Sequence, residues 1–151
     1  IRDLVRSRGL GDVYKRQRED MEHYLAMGIS GVQMATRFVT TYECDAAEAY
    51  KQSYINARKE DIVIVQSPVG MPGRAILNPF MQKAKTGKIP HGQCHSCIST
   101  CNPSETPYCI TDALVNAAVG RIEDALLFCG ANAWRAEKLE HVKEIMEEFR
   151  P

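Results

Sequence analysis

The residue pattern predicts an α/β fold. Three observations carry that prediction. Gly31-Val32-Gln33-Met34 is a short strand-like run between two helical segments. Ile62-Val63-Ile64-Val65 is a continuous β-branched run. Residues 138–149 have helical spacing that no strand would use: Leu139, Val142, Ile145, Met146 and Phe149 fall on one face of a closing helix.

In chain order, residues 18–27 are expected to end a helix, with Met21, Tyr24 and Leu25 on one face and Gly28 as its stop. The strand at 31–34 follows. Asp45 is expected to cap a helix over residues 46–58, with Glu48 completing an acidic capping box. Asp61 leads into the 62–65 run, which is either buried on both faces or paired at a sheet edge. Ser67 to Arg74 holds two prolines and two glycines and reads as a loop. Asn78 or Pro79 opens a helix that ends near Gly87. A cysteine-rich segment comes next. Thr111-Asp112 then leads into an apolar helix over residues 113–119, stopped by Gly120, and residues 126–130 form a strand or tight turn.

The first seventeen residues stand apart. Ser7 to Gln17, SRGLGDVYKRQ, is what a transposase adapter used in sequencing libraries would encode, and Ile1-Arg2-Asp3 fits the end of the accompanying primer. Residues 1–17 are therefore expected to be a non-native leader, the alternative being a basic arm that binds nucleic acid. Without them about 134 residues remain, enough for one modest domain. Of the 19 basic and 19 acidic residues, the leader holds 5 and 2, so the rest carries 14 against 17. That balance points to neither nucleic acid nor a membrane surface as partner. No apolar run approaches the ~20 residues that span a bilayer, and the expected location is the cytoplasm.

Gly31 to Phe38, GVQMATRF, is the first segment with chemistry in it. A strand runs directly into a small residue, a threonine and a new helical turn. Backbone N–H groups at such a turn point outward, and the helix start favours an anion. An ordinary strand-to-helix turn would have the same spacing. Arg37 could add charge or form a salt bridge beneath the rim.

The run LAMGISGVQMATRFVTTYECDA resembles the eighth-strand segment of the nitronate monooxygenase (2-nitropropane dioxygenase) family, which also contains NAD(P)H-dependent flavin oxidoreductases and FMN-dependent enoyl-ACP reductases. SPVGMPGRAILNPF resembles the segment after the barrel in clostridial-type members. The resemblance implies the C-terminal fragment of an FMN-binding TIM (β/α)8 barrel with a helical, Cys-rich extension. Residues 18–60 would be the end of the barrel and 61–151 the extension. It implies that Gln33, Met34, Ala35 and Thr36 contact FMN, with Ala35 standing where the family usually has glycine. Gly130 and Asn132 are secondary cofactor-side candidates beside a reading as a structural turn. The family's other phosphate arm would precede Arg18. None of His23, His91, His95 and His141 falls on its catalytic motif, so no catalytic residue is assigned. A fragment of this kind would leave an open core and an unpaired sheet edge, and poor independent stability is expected.

Cys94-x2-Cys97-x3-Cys101-x7-Cys109 is the sharpest pattern in the chain. A C-x2-C pair sets two sulfurs within chelating reach, and a third follows close behind. Four thiolates suit Zn²⁺ or an iron–sulfur cluster, and reduced thiols without metal are the plain alternative. The C-x2-C-x3-C order resembles the [4Fe–4S] site of flavin-containing dienoyl reductases. His91 or His95 could replace a ligand, and Cys44 and Cys129 read as single buried thiols. The implied function is oxidation of alkyl nitronates with O₂, or NAD(P)H-dependent flavin reduction, on a small-molecule substrate. The alternatives are an FMN-dependent enoyl-ACP reductase and, from another class, a zinc-binding interaction module.

Overall fold

The computed structural model describes residues 18–150 apart from 29, 32 and 91. The leader at 1–17, Val32 and His91 therefore lie outside the described residues.

Helix α1, Arg18–Ala26, buries none of its residues. Leu25, expected on its inward face, is exposed. Polar contacts tie the helix down instead. The Arg18 guanidinium donates to the carbonyls of Glu148 and Arg150, and Arg135 pairs with Asp20. Gly28, at φ +83°, ends it as expected.

The strand expected at 31–34 is not formed among the described residues 31, 33 and 34. A parallel strand takes its hydrogen bonds from neighbours on either side, and the one sheet found among the described residues lies elsewhere in the chain. Helix α2, Thr36–Val39, is a single turn. The Thr40 and Thr41 hydroxyls donate back to the Arg37 and Phe38 carbonyls, which closes it. A parallel bridge from Thr41 to Glu140 then fixes the turn against the C-terminal part of the chain.

Helix α3, Glu48–Ile55, starts later than the sequence suggests, and the Asp45 cap is not made. Ala47 is the N-cap, and its N–H donates to the Ala118 carbonyl at 2.9 Å. Glu48 bonds Gln52 and pairs with Lys51 rather than closing a capping box. Strand β1, Ile62–Gln66, pairs antiparallel with β2, Pro72–Ile76, from Ile62↔Ile76 to Gln66↔Pro72. The second half of the expected loop at 67–74 is thus strand. Pro72 is tolerated because it opens β2 at the end of the ladder. Gly73 is required, since a Cβ there would collide with the Phe128 ring. Residues 126–130 dock on the free side of β2, where the Ile76 N–H donates to Leu127 and the Cys129 N–H to Arg74.

Asn78 caps helix α4, Pro79–Thr86. Its Oδ1 accepts from the Met81 N–H, and its Nδ2 donates to the carbonyls of Ile122 and Ala125. Helix α5, Ile110–Ala118, buries Ala113 and Ala117 and ends before Gly120, at φ +85°. Helix α6, Val142–Glu148, is shorter than expected. Ile145 is fully buried, whereas Met146, expected on the same stripe, is 54% exposed.

Two apolar cores result. One gathers Tyr54, Ala57, Ile76, Ala117, Ala125, Leu127 and Ala133. The other gathers Val65, Ala75, Phe80, Met81, Tyr108, Ala113 and Leu126. Period-two alternation explains the division. Along β2, Ala75 faces one core and Ile76 the other, and Leu126 and Leu127 repeat the alternation.

Candidate functional site

The anion-binding candidate is the turn into α2. Gln33 and Ala35 are exposed, and Met34 and Thr36 are half-buried. Ala35 is the N-cap and makes no side-chain cap bond. The Thr36 Oγ1 accepts from the Gly130 N–H at 2.8 Å. The structure thus brings together two segments that the sequence pattern singled out separately. Gly130 and Asn132 also serve a structural turn: Gly130 accepts from the Ala133 N–H and Asn132 from the Arg135 N–H.

Arg37 is committed to the protein. Its guanidinium makes two bonds to Glu140, at 2.9 and 3.2 Å, and a further short one to Glu148. It also lies over the Phe149 ring. Burial opposes its charge, but Glu148 and Glu140 outweigh that opposition and raise its pKa above the ordinary arginine value. Of the two roles open to it in sequence, it takes the salt bridge beneath the turn. Glu140 and Glu148 were not singled out by sequence, because no local spacing links them to Arg37.

The resemblance of this segment implies FMN as the cofactor to test at this turn, and the donor set decides how its phosphate would fit. A small exposed residue at the start of a helical turn lets a phosphate approach the main chain closely. The Arg37 cation is engaged elsewhere. A phosphate at this turn would therefore have to be met by main-chain or hydroxyl groups rather than by the Arg37 side chain.

Cavities lie in the other half of the chain, among the described residues. One, of about 420 Å³, is lined in part by Phe80, Tyr108, Asp112 and Arg121. The second, of about 310 Å³, is lined by Cys94, Cys97, Cys101 and Cys109 together with Ile98 and Ile110. Neither is lined by residues 33–36. None of the six cysteines is joined in a disulfide. Among the described residues, no three His, Cys, Asp or Glu side chains converge closely enough to hold a metal ion. The expected four-sulfur centre is thus not assembled as the side chains stand, although its four residues share one cavity. His95, a candidate ligand by position, pairs with Asp112 at 2.8 Å. Cys129 packs against the first core, and the Cys44 carbonyl accepts from Lys51.

The whole of this architecture falls within one family. The nitronate monooxygenase family matches residues 15–151, and the chain belongs to it. Its members are flavin-dependent oxidoreductases of TIM-barrel fold. The chain is similar to a probable nitronate monooxygenase of Staphylococcus haemolyticus, 27% identical over 129 residues, which covers 80% of this chain and 31% of that relative. It is similar to one of Staphylococcus saprophyticus, 36% identical over 59 residues, covering 39% of the chain and 17% of the relative. Among solved structures it resembles FabK from Thermotoga maritima, with a TM-score of 0.71 and 26% identity over 93% of this chain and 41% of that one. The chain therefore spans less than half the length of each.

The family match runs through both the 33–36 turn and the cysteine segment, so the reading of the chain as a separate zinc-binding interaction module is set aside. Among the described residues, no helix is long and apolar enough to cross a membrane.

Proposed function

We propose that this chain is the cofactor-phosphate end of an FMN-dependent oxidoreductase that oxidises alkyl nitronates with O₂, or that uses NAD(P)H to reduce its flavin. The observation that supports this reading best is the 33–36 turn, lying inside the span matched to the family. Ala35 and Thr36 would hold the phosphate through their main-chain N–H groups, with Gln33 and Met34 beside it. Gly130 orients the Thr36 hydroxyl, and Arg37 anchors the turn to Glu140 and Glu148. When bound, FMN supplies the hydride and electron transfer, and the protein supplies position and electrostatics.

Ala35→Asp tests the assignment in the intact parent enzyme. A carboxylate at this position faces the phosphate, and FMN affinity should fall by tenfold or more, while Ala35→Gly should bind as well as the parent. FMN binding unchanged in Ala35→Asp would refute the placement. Oxygen uptake with an alkyl nitronate, compared with NAD(P)H oxidation in the presence of an enoyl thioester, decides the substrate class. Turnover of the thioester alone would assign the protein to the enoyl-ACP reductases instead.

A further inference from the structure

We propose that the cavity of about 420 Å³ bounded by α4, α5 and the loop at 89–92 is a second small-molecule site, and that it takes a free α-amino acid with an apolar side chain. The cavity shares no residue with the 33–36 turn, so the inference stands apart from the flavin reading.

Helix geometry gathers the polar groups. Asp112 and Asn116 line the cavity four residues apart on α5, and so share one face of that helix with Ala113. Arg121 and Asp124 line it from the cap and the end of the 3-10 turn Ile122–Asp124. Main-chain bonds fix these two segments to each other. The Arg121 N–H donates to the Asn116 carbonyl at 2.8 Å, and the Asn116 Nδ2 donates to the Asp124 carbonyl at 3.0 Å. Asn116 thus spends its amide donor on the wall and keeps its Oδ1 acceptor. Much of the remaining lining is apolar: Phe80, Ile89, Pro90 and Tyr108. The Phe80 and Tyr108 rings pack edge to face at 5.1 Å, and the Tyr108 hydroxyl donates to the Gln66 carbonyl. The volume lies in the range of small-molecule sites, about 300–1,000 Å³.

The charges select the ligand. Asp112 already pairs with His95 at 2.8 Å. The Arg121 guanidinium and the Asp124 carboxylate make no ion pair or side-chain hydrogen bond among the described residues, with each other or with any neighbour. One cation and one carboxylate are therefore open to a ligand, and a zwitterion complements both. The ligand carboxylate meets the Arg121 fork. Its ammonium meets Asp124 and the Asn116 Oδ1. Its side chain rests on Phe80, Ile89 and Pro90. A nucleotide phosphate would instead bring further negative charge to a lining that already holds two carboxylates, which is unfavourable.

The test is calorimetric titration of the full chain with L-leucine and L-phenylalanine, both of which should bind saturably. L-leucinamide lacks the carboxylate and N-acetyl-L-leucine lacks the ammonium, and each should bind tenfold or more weakly than L-leucine. Arg121→Met should weaken L-leucine by tenfold or more and abolish its advantage over L-leucinamide. Asp124→Asn should do the same for its advantage over N-acetyl-L-leucine. Both side chains belong to exposed residues, so urea unfolding of the variants should match the parent. No saturable binding of either amino acid to the unsubstituted chain would overturn the proposal. So would equal binding of L-leucine and its two singly charged derivatives, a result that needs no variant.

Discussion

Arg37→Met removes the cation on which the α2 turn depends. The Arg37 side chain is 8% exposed, and its partners Glu140 and Glu148 are 19% and 33% exposed. Taking one partner from a buried pair costs ~3–5 kcal/mol, because the remaining charge is left without compensation. Glu148 is partly solvated, which reduces that figure, and about 2–4 kcal/mol is expected here. With a urea m-value of roughly 1–3 kcal/mol/M, the unfolding midpoint should fall by about 0.7–4 M. Urea unfolding followed by circular dichroism measures it. Pairing Arg37→Met with Glu140→Gln should recover part of the loss, since fewer unpaired charges remain. An Arg37→Met midpoint equal to that of the parent would refute the reasoning and leave the two carboxylates as solvated surface groups.

Gly73→Ala should destabilise the chain by ~1–3 kcal/mol through overpacking against Phe128, with a lowered thermal midpoint as the readout; an unchanged midpoint would show that the ring moves aside freely. Asn78→Ala removes the α4 cap and two donors to the Ile122 and Ala125 carbonyls, and ~2–4 kcal/mol of stability should be lost in urea unfolding. Glu43 is held below the usual carboxylate pKa chiefly by the Val142 N–H, which outweighs an opposing desolvation effect, with His141 adding to the lowering. A carboxylate depressed on folding stabilises the chain above its unfolded pKa, and that stabilisation is lost as pH falls through the folded value. Glu43→Gln should therefore weaken the dependence of stability on pH in the acid range, and an unaltered acid limb would count against the bond.

The features legible in sequence are those whose partners lie within a few residues. Asn78 caps α4 by accepting from Met81, three positions on, and Gly28 and Gly120 stop helices through their own φ angles. Where the sequence misleads, the deciding partner is remote. Asp45 reads as a cap, yet the start of α3 is set by the Ala118 carbonyl. Pro72 and Gly73 read as loop, yet they open a strand, because Phe128 needs the space that glycine leaves. Residues 31–34 have the composition of a strand, but composition supplies no neighbour to pair with. The candidate site divides in the same way. The four cysteines are visible from spacing and the turn at 33–36 from its resemblance to the family segment, while the bond from Gly130 to Thr36 and the carboxylates that claim Arg37 come from the other end of the chain. Charge near an anion site is therefore a poor guide to its ligand until the fold shows which cations are already paired. In this chain the arginine nearest the turn is committed to holding it in place, so the phosphate contact proposed for the turn cannot be read from that cation.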